Sequence, residues 1–131
     1  MNLNEAFTLF QTQVSNMDSL WAYYSTITIA ILGFTIASDK ATRSRNEILV
    51  IQVGYLLFAI GNALAIASSQ RTLIQLGKLV KQAGGPESLV NAFQTWEVMI
   101  FHITVTVFVL IIIDVTYRYN KKMQLSSSVG S

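Results

Sequence analysis

Three windows constrain this chain more than any other feature: Leu20–Ser38, Ile48–Ala67 and Val98–Tyr117. Each runs to spanning length, and Asp114 is the only Asp, Glu, Lys or Arg in any of them. A helix needs roughly 20 mostly apolar residues to cross a hydrocarbon layer about 30 Å thick. Where water is absent, each backbone N–H and C=O must be bonded within the protein, which makes such windows helical. The whole chain agrees: 52% of its 131 residues are apolar and 12% are charged, against about 25% charged in a soluble domain. The expected fold is an all-α integral membrane protein with one three-helix domain over residues 1–122. Residues 1–19 hold no Lys or Arg, so the first window reads as a span and not as a cleavable signal.

The basic residues set the expected orientation. Lys40, Arg43 and Arg45 follow the first span, and Arg118, Lys121 and Lys122 follow the third. Arg71, Lys78 and Lys81 are spread along the second connection. Six basic residues against three favour an N-terminus outside and a cytoplasmic C-terminus, in a plasma (inner) membrane. A net charge of +2 is no nucleic-acid signature, and the partner it leaves is the lipid bilayer.

Outside the windows the sequence is periodic. Leu3, Phe7, Phe10, Val14, Met17 and Trp21 recur at alternating steps of four and three. Ile66, Leu73, Leu76 and Val80 repeat the stepping after the second span, and Leu89, Phe93, Trp96 and Ile100 repeat it into the third. Such a seam belongs to helices that pack along one face. Ser44-Arg45-Asn46-Glu47 fits a capping box, and Gly84-Gly85 fits a C-cap. Pro86 and Glu87 suit the first turn of a third helix. The expected helices therefore cover about 3–38, 46–83 and 87–122. Their N-terminal-side extensions form an extramembrane bundle, and residues 123–131 form a disordered tail.

Continued into the spans, the seams turn polar. Thr35, Gln52 and Asp114 fall in an inner layer with Arg118 one turn beyond, and Tyr24, Asn62 and His102 fall in an outer layer. On this stepping His102 stands one position off the seam and shares its face with Thr106. Faces that look at protein tolerate such groups, whereas lipid favours apolar surface. The inner layer reads as a clasp, with Arg118 pairing to Asp114 and with Gln52 and Thr35 as donors to it, or as the lining of an ion path. Small residues on the second helix, Ala59, Ala63 and Ala67 on one stripe and Gly61 and Ala65 on another, allow close helix approach.

No cysteine is present, the single histidine lacks ligand-spaced partners, and no phosphate loop, dinucleotide fingerprint or catalytic triad can be assembled. No cofactor, no metal and no catalytic residue are expected, and an enzyme is not. Two functions remain. One is a homo-oligomeric channel or pore lined by the polar faces. The other is a non-conducting scaffold, accessory subunit or envelope sensor that binds another membrane protein. Three spans with this orientation and a basic tail resemble class I phage holins in architecture. No motif carries that likeness, and the long outer helices depart from the compact holin pattern.

Overall fold

Each helix of the computed structural model starts on the same device. Glu5, Glu47 and Glu97 sit at the third helical position, and each carboxylate accepts the backbone N–H of the capping residue, Asn2, Ser44 or Gln94, at 2.8–3.0 Å. At the first two starts the cap side chain reciprocates: Asn2 Oδ1 accepts the Glu5 N–H at 2.9 Å and Ser44 Oγ accepts the Glu47 N–H at 3.3 Å. These bonds satisfy donors that a helix start otherwise leaves open, and they put negative charge where the helix dipole favours it.

The structure describes residues 1–38, 44–86 and 94–129. Three helices, α1 (Leu3–Ala37), α2 (Arg45–Gln82) and α3 (Thr95–Val129), form all the regular structure among them. Each is long and apolar enough to cross a membrane. Lys40, Arg43, Glu87, Leu89 and Phe93 lie outside the described residues.

The end of α2 follows the sequence. Gly84 takes φ +89° and its N–H donates to Lys81 O at 3.1 Å, while the Gly85 N–H donates to Val80 O at 3.0 Å. That pair of bonds is a Schellman cap, and only glycine adopts such a φ without strain. Gly85 is needed for space: a Cβ there would lie 2.6 Å from Val80 Cγ1.

Helix α3 departs from expectation at both ends. Gln94 is not helical and α3 starts at Thr95, so the expected unbroken helix over 87–122 is interrupted there; its expected first turn at Glu87 lies outside the described residues. It then continues to Val129 through residues expected to be disordered. Ser126 and Ser127 there donate their hydroxyls to Met123 O and Gln124 O.

The chain forms two compact units, one of Met1–Tyr24 with Gly61–His102 and one of Ser25–Ile60 with Ile103–Ser131. In the first, α1 and α2 run antiparallel. Gln13 Nε2 donates to Ser69 O and Ser69 Oγ, and Asn62 Nδ2 donates to Leu20 O. Ala6, Met17, Ile66, Leu73 and Val80 are buried between them, with Phe7, Phe10, Val14 and Leu76 half-buried. Gln70 and Gly77 are buried as well, one position beyond the expected Ser69 and Leu76. The outward faces carry Asn4, Thr8, Gln11, Ser15, Asp18, Arg71, Gln75 and Lys78.

The second unit is built the other way round. Its core is Ile48, Tyr55, Val109 and Ile113, with Ile31, Leu32, Ile51 and Phe58 against it. Its outward faces are also apolar: Ile29, Phe34, Val50, Leu57, Phe108 and Ile111 are all more than half exposed. Such a surface suits hydrocarbon and not water.

On α3 the seam lies one position from where the stepping puts it. The buried residues are His102, Thr106, Val109 and Ile113, whereas Trp96, Ile100, Ile103 and Val107 are exposed. The expected phase was carried forward from Leu89 and Phe93 through Gln94 as one unbroken helix. The non-helical Gln94 resets that phase.

Candidate functional site

In the first unit three side chains with polar groups converge. Near the end of its α1 segment, Tyr24 is 2% exposed. Across from it Asn62 of α2 is 7% exposed and His102 of α3 is 2% exposed. The Asn62 amide is fixed by its own chemistry. Its Nδ2 can only donate, and it meets Leu20 O at 3.5 Å. Its Oδ1 therefore faces His102 Nε2 at 3.2 Å, so Nε2 carries the proton. The imidazole also stacks on Tyr24, with ring centroids 4.2 Å apart and planes inclined at 32°.

Trp21 closes one side of this cluster. Its ring stands edge-on to Tyr24 at 6.0 Å and to Phe101 at 5.8 Å, and 6.0 Å from His102. Three of the four outer-layer residues expected from sequence thus belong to this unit and touch one another. His102 is on the packed face itself, which corrects its expected place one step aside. Thr106, the fourth, is buried in the second unit.

The inner layer does not assemble. Thr35 is fully buried, but its hydroxyl donates to Ile31 O on its own helix at 2.8 Å. Gln52 is half-buried and makes no bond to Asp114. The Asp114 side chain is 43% exposed and pairs with Arg118 Nε at 2.7 Å, one turn on along α3. The expected partner for Asp114 is therefore present, and the expected cross-helix donors are not. The phase of α3 explains this, because burying Ile113 turns Asp114 to the edge of the packed face.

In the second unit a different polar link crosses between helices: Thr28 Oγ1 lies 3.2 Å from Tyr55 Oη, both side chains being buried. Thr28 stands four residues after Tyr24 and Tyr55 seven before Asn62, so both fall on the continued seams, but nothing in the pattern distinguished this pair from its neighbours. The small residues of α2 divide by face. Ala59 is buried and Ala63 and Ala67 are half-buried, while Gly61 and Ala65 are exposed together with Gly54.

Comparison with known protein families, with curated proteins and with solved structures finds no match to this chain. What it does has to be read from its own side chains.

Proposed function

We propose that this chain is a small multi-pass membrane protein that acts as a non-conducting scaffold or accessory subunit. One observation carries the reading: Thr28, Thr35, Asn62, His102 and Thr106, five polar groups of the apolar segments, are buried within the single chain. A pore needs such groups facing a water path. Here Asn62 and His102 bond one another, Thr28 meets Tyr55 Oη and Thr35 bonds its own backbone, as helix-holding groups in a bilayer do.

The two kinds of surface support the membrane arrangement. Within the first unit, the polar outward faces of residues 1–19 and 68–82 suit water, and these stretches would stand outside the bilayer. The apolar outer faces of the second unit suit lipid. The basic residues favour the N-terminus outside and the C-terminus in the cytoplasm of an inner membrane. Contact with another helix, from a second copy or a partner membrane protein, is best supported along exposed Gly54, Gly61 and Ala65. Apart from its chain neighbours and its own helix backbone, nothing lies within 4 Å of where a Cβ would stand on either glycine, so a neighbouring helix can approach closely.

A homo-oligomeric pore remains the second reading, because Thr26 and Thr104 are exposed on apolar segments. The two readings part in reconstituted liposomes at neutral and mildly acidic pH. The scaffold reading expects cation and anion flux no greater than in empty liposomes, for the native chain and for Asp114→Asn. Flux that Asp114→Asn or Gln52→Leu retunes would overturn it in favour of the pore.

A further inference from the structure

Beside Trp21 the first unit carries an open groove of about 470 Å³, lined by Trp21 of α1 and by Glu97, Val98 and Phe101 of α3. Its size falls in the range of small-ligand sites, and like them it sets a few polar groups among apolar ones. Val98 and Phe101 supply apolar wall. Trp21 supplies an aromatic face held by edge contacts to Tyr24 and Phe101, and its indole N–H makes no hydrogen bond among the described residues. Glu97 supplies a negative charge. Its Oε2 accepts the Gln94 N–H, and no cation pairs with the carboxylate among the described residues.

These features select one kind of occupant. An acyl chain fits the Val98 and Phe101 wall. A headgroup beside it meets a carboxylate with no cation at it among the described residues and an indole face, both of which attract a cation. The indole N–H, a donor, suits a phosphate oxygen. A net-anionic headgroup would be repelled by Glu97. We infer that this groove binds a phospholipid with an ammonium headgroup, its chain against Val98 and Phe101, its ammonium at Glu97 and Trp21. The inference rests on the reading of the chain as a bilayer protein.

The test uses the full chain carrying Trp96→Phe, which leaves Trp21 as the only tryptophan. Trp96 is 62% exposed, so this change removes little packing. The protein is reconstituted in vesicles of phosphatidylethanolamine and phosphatidylglycerol with brominated chains on one lipid or the other, at equal mole fraction. Trp21 fluorescence is expected to be quenched about two- to five-fold more effectively by the brominated phosphatidylethanolamine, the scale of one partly exposed charge pair. Glu97→Gln keeps an oxygen for the Gln94 N–H and should abolish the preference, and Glu97→Lys should invert it. Equal quenching by both lipids overturns the inference, as does a preference that survives Glu97→Gln. Trp21 shielded from both lipids would mean that protein, such as a second copy, covers the groove, and also overturns it. Flotation with the vesicles separates the two readings. A chain that floats without preference sinks the lipid site alone, and a chain that does not float sinks the bilayer reading with it.

Discussion

His102→Phe is the most informative single substitution. It keeps a flat ring of similar size against Tyr24 at the 4.2 Å spacing and deletes the ring nitrogens, among them the Nε2–H that Asn62 Oδ1 accepts at 3.2 Å. Hydrogen bonds between helices in a bilayer are worth about 0.6 kcal/mol on average and up to about 1.7. Leaving a buried acceptor unmet costs about 1–3 kcal/mol. Since Asn62 is 7% exposed, little solvent reaches it as a replacement, and the expected loss is about 1–2 kcal/mol. His102→Ala also deletes the ring stack and should lose about 0.5–1.5 kcal/mol more. A double-mutant cycle of His102→Phe with Asn62→Ala isolates the bond and should return a coupling of about 0.6–1.7 kcal/mol. The assay is reversible unfolding in mixed micelles by detergent titration, followed by circular dichroism. A His102→Phe chain as stable as the native one, with no coupling in the cycle, would refute the assignment of Asn62 and His102 as the bond that ties α2 to α3 in the first unit.

Two further substitutions address the fold in the same assay. Val109 is 2% exposed and Val107 is 49% exposed, so Val109→Ala should cost about 1–2 kcal/mol and Val107→Ala under about 0.5; the reverse order would restore the phase that the heptad stepping gives α3. Gly84→Ala must hold φ +89° with a Cβ, at a cost of about 1–2 kcal/mol, and an unchanged stability would mean that the Schellman cap does not form.

Legibility from sequence varied with contrast between faces. On the outer parts of α1 and α2, apolar residues alternate with Asn, Gln, Thr, Ser and Lys. That pattern locates Met17, Leu73 and Val80, which are buried. In the spans the useful contrast is inverted, and Tyr24, Thr28, Thr35, Tyr55 and Asn62 mark the packed faces that the structure buries. Helix α3 offers little of either. Ile103, Val107, Val109, Leu110, Ile111, Ile112 and Ile113 surround it with apolar groups, so hydropathy alone carries no phase. Its polar residues His102 and Thr106 did carry the phase. They pointed to the packed face, and the stepping from Leu89 and Phe93 overrode them. The start of α3 had a usable signal too, because Glu97 three residues after Gln94 repeats the spacing of Ser44 to Glu47 and of Asn2 to Glu5.

The sequence by itself determined that there are three long apolar helices, where α2 begins and ends, and which faces of α1 and α2 pack. Composition, caps and periodicity are local properties, and they act before any helix meets another. Only the tertiary structure decided the rotation of α3 about its axis, and with it the fate of two residues. His102 is turned inward to Asn62 and Tyr24, and Asp114 is left at the edge of its unit with Arg118 of its own helix. The physical reason is that neighbours choose that rotation. Lipid is as apolar as the residues it would replace, so an evenly apolar helix turns to whichever face gives its few polar groups a partner.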